Sequence, residues 1–220
     1  MDLTEAIDRR HTVRRYQARP LEPEAEDTLR EAIREVNRRD GLCLKLVTGT
    51  GDGVNAMGRL MGRHINNYVI LAGPESPGLG RLIGYRGAEL MLLAQTLGLN
   101  TWWVGGFVSE RGVRRHLLDP EAKVLGVLVV GYGATQGEPH RTKVAEDISS
   151  YDGHRPKWFD AGVNALLKAP SALNRQPFVV EGAGNVVRLS CEDSAMPDID
   201  LGIARFFFEL GAGPGTFVWA

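Results

Sequence analysis

The spacing of apolar residues predicts three long helices. After Pro23, an apolar residue recurs every three or four positions, which predicts an amphipathic helix that begins at Pro23 and ends near Gly41. Two further stretches, 82–97 and 199–210, are apolar on nearly all sides. Such helices belong in the centre of a core, and we expect them to end at Gly98 and Gly211.

Short apolar runs between these helices predict β-strands. They are bounded by glycine and polar residues, as strands usually are, and they fall at 42–47, 67–72, 100–104, 123–132 and 178–180. Two shorter helices are expected after Ser109, ending near Leu118, and from Lys157 onward. Strands and helices in this mixed order favour an α+β fold with mixed or antiparallel sheets around the central apolar helices.

Composition and charge narrow the functional classes. Of the 220 residues 43% are hydrophobic, and the net charge is -1, so nothing favours disorder, nucleic acid or a membrane surface. The two cysteines, Cys43 and Cys191, lack metal-type spacing, which favours a reducing interior. No apolar run reaches the length of a membrane span, and the N-terminus does not resemble a signal peptide, so we expect a cytoplasmic protein.

Arginines are crowded at the start of the chain. The string Arg9-Arg10-His11-Thr12-Val13-Arg14-Arg15-Tyr16 offers forked donors that suit phosphate oxygens, together with the hydroxyl of Thr12. A solvated basic turn and an arginine-rich RNA-binding arm are the alternatives. The arm is disfavoured because no further basic face or interleaved aromatic residues follow.

Two other stretches could approach a ligand. The strand ending Trp103-Val104 runs into Gly105-Gly106, and adjacent glycines let a backbone approach a flat ligand closely, although a simple turn has the same composition. Further along, Arg141 and Lys143 lie on one side of an extended segment and could address one anion.

The loop Ala169-Pro170-Ser171-Ala172-Leu173-Asn174-Arg175-Gln176-Pro177 lies between a predicted helix and a predicted strand. Its prolines push the preceding residues out of helical geometry, so we expect an ordered loop that presents Ser171, Asn174 and Gln176 outward. A helix end followed by a turn is the alternative.

A glycine cluster at Gly78, Gly80 and Gly84 resembles a dinucleotide fingerprint only weakly. The spacing is wrong, two prolines intervene, and no acidic residue ends the next strand. We therefore expect these glycines to permit a turn and close helix packing.

Taken together, these motifs resemble the FMN-dependent nitroreductase family, in particular its shortened branch. The loop 169–177 matches the Ala-Pro-Ser-x-x-Asn-x-Gln-Pro signature of that family. The resemblance implies an FMN site formed by Arg10, His11, Thr12, Arg14, Trp103, Val104, Gly105, Gly106, Arg141, Lys143, Pro170, Ser171, Ala172 and Asn174. Arg10, Arg141 and Lys143 would hold the phosphate. Arg14 would contact the N1 and O2 edge of the ring, and the N–H groups of Gly105 and Gly106 would contact the N5 and O4 edge.

The signature lies in an unexpected part of the chain. In the family it follows the first long helix, whereas here it lies in the last quarter. In the family each flavin lies between two subunits, so the resemblance implies an internally duplicated chain. Residues 1–145 would form a first half with the phosphate and ring contacts, and residues 146–220 a shorter half with the Ala-Pro-Ser loop, together forming one globular unit.

The implied activity is that of an oxidoreductase that passes hydride from NADH or NADPH through FMN to a nitro, quinone or similar small acceptor. No catalytic side chain and no metal is expected, because the flavin carries the redox step. The alternatives are a flavin-binding carrier or sensor without turnover, and a flavin-free interaction protein. We expect a monomer that acts on a small molecule, with homo-oligomers left open and with no nucleic-acid or membrane partner.

Overall fold

A computed structural model describes residues 1–191 and 193–220 of the chain. Its helices are α1 (Leu3–Arg9), α2 (Pro23–Asp40), α3 (Ala56–Met61), α4 (Leu79–Thr96), α5 (Glu110–Arg114), α6 (Ala145–Ile148), α7 (Lys157–Leu166) and α8 (Pro197–Ala212). Its strands are β1 (Lys45–Val47), β2 (Tyr68–Gly73), β3 (Asn100–Val104), β4 (Lys123–Gly131), β5 (Ser149–Asp152), β6 (Phe178–Ala183), β7 (Val186–Cys191) and β8 (Val218–Trp219). These elements confirm the predicted α+β class.

The chain divides into two compact units. Unit 1 consists of Met1–Asp8, Gly80–Glu89 and His140–Ala220, and unit 2 consists of Arg9–Leu79 and Leu90–Pro139. The expected duplication into two related halves stays a prediction.

Unit 2 is built on an antiparallel sheet with the strand order β1-β2-β4-β3. The central strand β2 is buried at every residue, and the register of β3 on β4 places Trp102 opposite Val129. One cluster of buried side chains in this unit includes Val13, Tyr68, Trp102 and Val127. Strand β3 coincides with the predicted strand, and it matters for the site because the predicted ligand loop follows it directly.

Strand β1 is shorter than the predicted strand 42–47. The side chain of Asn37, near the end of α2, donates to the Leu44 carbonyl oxygen at 2.8 Å and accepts from the Leu44 N–H at 2.9 Å. The amide thus satisfies both backbone groups of Leu44, while the Cys43 N–H still donates to the Ala72 carbonyl oxygen at 2.9 Å ahead of the regular strand that starts at Lys45. Helix α5 is likewise shorter than predicted and ends at Arg114 rather than near Leu118.

Unit 1 contains a second sheet, with the order β5-β6-β7-β8. Strands β6 and β7 are antiparallel, whereas β5 and β8 join the sheet in parallel. Helices α7 and α8 pack against each other. A Cβ atom on Gly211 would lie 2.5 Å from the Ala165 Cβ and 2.6 Å from the Ala161 carbonyl oxygen. The expectation that α8 ends at Gly211 is therefore wrong: the helix continues to Ala212, and Gly211 allows the close approach of α7.

Glycines also let the first turns of α4 approach α8 within unit 1. A Cβ on Gly84 would lie 2.2 Å from the Ile199 carbonyl oxygen, and one on Gly202 would lie 2.0 Å from that of Arg81. Gly78 lies at the start of α4 with a left-handed φ of 84°. The prediction that these glycines serve a turn and close packing is confirmed, and the dinucleotide alternative is not needed to explain them.

Helices in the described part of the chain are all too short or too polar to cross a membrane.

Candidate functional site

The arginine-rich segment lies along strand β3 in unit 2. The Val13 N–H donates to the Thr101 carbonyl oxygen at 3.0 Å, and Thr12 forms a parallel bridge with Thr101. On the other side, the Arg63 N–H donates to the Arg14 carbonyl oxygen at 2.9 Å. These backbone bonds fix an extended segment in the sheet layer, so its side chains have defined directions.

Arg9 and Arg10 differ sharply although they are neighbours. Arg9 is exposed, whereas Arg10 is only 3% exposed. Burial lowers the pKa of Arg10 to about 10, because the charged guanidinium loses hydration. An anion beside a buried guanidinium offsets that cost, so Arg10 is a suitable phosphate anchor.

Arg14 is placed differently. It is exposed, and its guanidinium carbon lies 5.6 Å from the centre of the Trp102 ring. A cation over an aromatic face is held in orientation without losing its charge. Arg14 therefore offers an oriented positive group beside β3, the strand that leads to Gly105.

His11 and Thr12 pack under the loop that follows β4. Gly137 in that loop has a φ of 77°, and a Cβ atom there would lie 2.8 Å from the His11 Cβ and 3.2 Å from the Thr12 carbonyl oxygen. The loop can approach this closely only because residue 137 is glycine. This contact holds His11 and Thr12 against the loop that follows β4.

The glycine loop begins where β3 ends. Val104 is 1% exposed, Gly106 is exposed, and a Cβ atom added to Gly106 would meet no atom within 4 Å. Trp103 contributes a second feature, because its indole Nε1 is buried without a hydrogen-bond partner among the described residues. Open space at Gly106 and an unsatisfied buried donor on the preceding strand fit a site for a flat polar ligand.

In unit 1 the Ala-Pro-Ser loop binds the basic segment 141–143. The Asn174 side-chain amide donates to the Arg141 carbonyl oxygen at 2.8 Å. The Lys143 ammonium donates to the Gln176 carbonyl oxygen at 2.9 Å, and the Lys143 N–H donates to the Gln176 Oε1 at 2.8 Å. The structure thus joins two motifs that the sequence separates by about 30 residues.

Gln176 occupies the centre of this network. It is 1% exposed, and its Nε2 donates to the Leu167 carbonyl oxygen at 2.7 Å and to the Thr142 Oγ1 at 3.2 Å. The expectation that Gln176 points outward is therefore wrong. Its amide provides both a donor and an acceptor, and the loop 167–177 closes around it. Ser171 and Asn174 are more accessible, half-buried and exposed respectively.

Asp200 holds the same loop from α8, and none of the predicted motifs includes it. It is 2% exposed, and its Oδ1 accepts from the Ala172 N–H at 3.0 Å, while Ser194 donates to its Oδ2. Burial raises the pKa of Asp200 because it penalises the carboxylate, although these two hydrogen bonds act in the opposite direction. An acid near the start of the apolar run 199–210 was the signal that could have revealed it.

Strained backbone is concentrated in this loop. Leu173, Asn174 and Gln176 have φ values of 55°, 55° and 47°, in the left-handed region that non-glycine residues seldom occupy. Leu173 is also 80% exposed. Strained backbone persists where surrounding contacts hold it, and such positions are frequent in binding loops. Pro170 precedes this segment and is half-buried.

A separate titratable cluster lies in unit 2. The Tyr68 hydroxyl donates to the Asp52 Oδ1 at 2.7 Å, and the His116 Nε2 lies 3.0 Å from the Asp52 Oδ2. Burial raises the pKa of Asp52, but the hydrogen bonds from Tyr68 and His116 and the charge of Arg115 outweigh it and lower the pKa. The cluster ties the loop before α3 to β2 and to the end of α5. No group of three or more His, Cys, Asp or Glu side chains within 1–191 and 193–220 is arranged to hold a metal ion.

The structure therefore assembles the predicted residues as two groups, one in each unit. Arg10, His11, Thr12 and Arg14 accompany β3 and its Gly105-Gly106 end in unit 2. Arg141 and Lys143 join the loop of Pro170, Ser171, Ala172 and Asn174 in unit 1.

The fold defines the class of protein. A “putative nitroreductase” from Thermotoga maritima superposes on this chain with a TM-score of 0.68, at 22% identity, covering 96% of this chain and 83% of that one. The chain belongs to the family described as “Putative TM nitroreductase”, whose pattern matches residues 2–212. The resemblance inferred from the motifs is thereby confirmed.

Other solved structures share the fold over part of the chain. A “putative NADH dehydrogenase/NAD(P)H nitroreductase” from Parabacteroides distasonis has a TM-score of 0.53 at 22% identity, covering 67% of this chain and 97% of that one. A “putative nitroreductase in complex with FMN” from Desulfovibrio desulfuricans has a TM-score of 0.55 at 17% identity, covering 67% of this chain and 95% of that one. No protein with a curated function matches this chain.

Proposed function

We propose that this protein binds FMN and acts as an FMN-dependent oxidoreductase. The observation that carries the proposal is the nearly complete burial of the Arg10 guanidinium in a segment bonded to β3, the strand that ends at Gly105-Gly106. Family membership supports it, as do the FMN complexes of the Desulfovibrio desulfuricans and Exiguobacterium sibiricum proteins of this fold.

Arg10 and Thr12 hold the phosphate in this proposal. A buried guanidinium gives two parallel N–H donors to one phosphate, and the adjacent hydroxyl adds a third donor. Because the Val13–Thr101 hydrogen bond fixes the backbone of this segment, binding the anion has to order side chains only. Arg14 supplies a positive charge toward the N1 and O2 edge of the ring.

Gly105 and Gly106 provide backbone N–H groups for the N5 and O4 edge. The absence of a Cβ at Gly106 keeps the space beside the backbone open. Trp103 supplies a buried N–H that has no acceptor among the described side chains and backbone groups. Such preset dipoles stabilise negative charge better than water does, because they are already oriented.

The family resemblance further assigns Arg141 and Lys143 to the phosphate, and Ser171 and Asn174 to the ring and the ribityl chain. Asn174 keeps its carbonyl oxygen for a ligand, since its NH₂ group is engaged by Arg141. Asp200 and Gln176 hold this loop in its strained conformation.

FMN, when bound, supplies the hydride-accepting and hydride-donating chemistry. The side chains of this protein then bind the cofactor, exclude water and stabilise charge, and none of them has to act as a general acid or base. NADH or NADPH is the proposed reductant, and a nitro or quinone compound of small size is the proposed acceptor.

The visible spectrum of the purified protein, with and without added FMN, is the first test. Arg10→Ala should weaken FMN binding by about 1–3 kcal/mol, the range for a charge-assisted hydrogen bond at a buried site. Arg9→Ala is the matched control, because it removes the same side chain from the neighbouring exposed position. Equal FMN affinity in the two variants would refute the phosphate assignment.

Turnover is tested separately from binding. The FMN-loaded protein is mixed with NADH or NADPH and a quinone or nitroaromatic acceptor, and oxidation of the nucleotide is followed. Sustained oxidation that requires both FMN and acceptor supports the enzyme. FMN binding without oxidation would instead indicate a flavin carrier or sensor.

A further inference from the structure

We propose that unit 1 contains a second ligand site, which binds a phosphorylated aromatic molecule of the nucleotide class. The site is a pocket of about 500 Å³ between the first turns of α4, one side of α8, and strands β7 and β8. This volume falls within the range of about 300–1,000 Å³ that is usual for small-molecule sites. The proposal is independent of the FMN site.

Charge is the first property of this pocket. Arg81, Arg86, Arg188 and Arg205 all line it, against the single acidic side chain of Glu209. Three of them pair with acids, Arg81 with Asp198, Arg86 with Glu89 and Arg205 with Glu209, so the cavity carries a small net positive field that Arg188 supplies. Such a field attracts anions, and forked guanidinium groups match phosphate oxygens better than ammonium groups do.

Glu209 offsets the charge of Arg205, and its two oxygens also accept hydrogen bonds from neutral donors. Its Oε2 accepts from the Tyr85 hydroxyl at 2.5 Å, and its Oε1 accepts from the Trp219 Nε1 at 2.6 Å and the Arg205 Nε at 3.0 Å. The carboxylate thus fixes both aromatic rings and one arginine. Its role in the pocket is to hold the walls in place.

Two of the arginines are available to a ligand. Arg188 is exposed and has no ion pair or side-chain hydrogen bond within the described residues. Arg81 pairs with Asp198 at 3.3 Å, but both side chains are about 60% exposed, and such pairs contribute little. Both guanidinium groups can therefore turn to an incoming anion at small cost.

Aromatic rings are the second property. Trp219 and Tyr85 line the pocket, with the guanidinium carbon of Arg205 4.8 Å from the Trp219 ring centre and that of Arg86 4.9 Å from the Tyr85 ring centre. Guanidinium groups stacked on aromatic rings form flat surfaces, on which the flat ring of a ligand can stack in turn. Inorganic phosphate alone would leave the rings and the apolar wall of Val187, Leu189 and Leu201 unused.

ADP is the probe for this site, with adenosine and pyrophosphate as its two halves. We expect ADP to bind the full-length protein, and each half to bind at least about tenfold more weakly, as expected when ring and phosphate are both recognised. The titration is run by calorimetry with and without one equivalent of FMN per chain, so that only the tighter FMN site is filled. Unchanged ADP affinity in the presence of this FMN is expected, whereas loss of ADP binding would overturn the proposal.

Arg188→Gln and Arg81→Gln should each weaken ADP binding about tenfold. Arg34→Gln is the matched control, because Arg34 is an exposed helical arginine paired with Glu31 in unit 2. The circular dichroism of each variant verifies folding. Lack of saturable ADP binding, equal affinity for adenosine, or equal losses in all three variants would each refute the site.

Discussion

Gln176 offers the sharpest test of how the Ala-Pro-Ser loop is held. Gln176→Leu keeps the approximate size of the side chain but removes its amide. In the native protein Oε1 accepts from the Lys143 N–H at 2.8 Å, and Nε2 donates to the Leu167 carbonyl oxygen at 2.7 Å. The substitution leaves the Lys143 N–H without this acceptor, whereas the Leu167 carbonyl oxygen keeps the Thr142 hydroxyl as a donor at 3.1 Å.

The expected cost follows from these contacts. Three lost hydrogen bonds at about 1 kcal/mol each, to Lys143, Leu167 and Thr142, plus about 1 kcal/mol or more for a donor left unsatisfied, give about 4 kcal/mol. For a chain of this size that loss lowers the melting temperature by about 8–16 °C. The carbonyl oxygen of residue 176 still accepts from the Lys143 ammonium, which limits the damage to the loop.

Thermal unfolding followed by circular dichroism measures the effect, and urea unfolding verifies the free energy. Gln17→Leu is the matched control. It makes the same chemical change at an exposed glutamine, whose Nε2 makes one hydrogen bond to the Gly133 carbonyl oxygen at 3.0 Å. We expect the control to lose less than about 1 kcal/mol. Equal losses in the two variants would refute the idea that Gln176 is the centre of the network.

Three further predictions concern glycine and acid positions. Gly106→Ala should lower FMN affinity about tenfold without changing stability, because the new methyl group meets no protein atom within 4 Å and only a ligand would feel it; unchanged affinity in a FMN titration would contradict the ring contact. Gly84→Ala should destabilise the protein by about 1–3 kcal/mol, since its methyl group would collide with the Ile199 carbonyl oxygen; thermal unfolding beside Gly106→Ala tests it, and equal stability would be the contrary result. Burial raises the pKa of Asp200, so the native state binds this proton more tightly than the unfolded state does. The contribution of Asp200 to stability therefore falls as the pH rises from below 4 through the raised pKa. Asp200→Asn should remove that part of the pH dependence in urea unfolding from pH 3.5 to 7, and a pH profile identical to that of the native protein would refute the assignment.

Local patterns determined the main elements of this protein. The apolar spacing after Pro23 marks helix α2, which ends before Gly41 in its left-handed backbone conformation. The strand 100–104 also appears as predicted. The motifs were also sufficient to indicate the family, because the Arg-rich start, the Gly-Gly loop and the Ala-Pro-Ser loop are each continuous in sequence. The ends of short elements were less well determined, since β1 begins at Lys45 and α5 ends at Arg114.

Tertiary structure decided which of these residues are buried and what they touch. Nothing in the local pattern distinguishes Arg9 from Arg10, yet only Arg10 is buried. Gln176 turned inward because the segment from His140 to Lys143 and the Leu167 carbonyl oxygen supply partners for both ends of its amide. Hydrogen bonds between residues about 30 positions apart cannot be read from periodicity, since periodicity records only which face of an element is apolar. Sequence therefore determined the elements and the chemistry they carry, and the packing of those elements determined which polar groups became anchors.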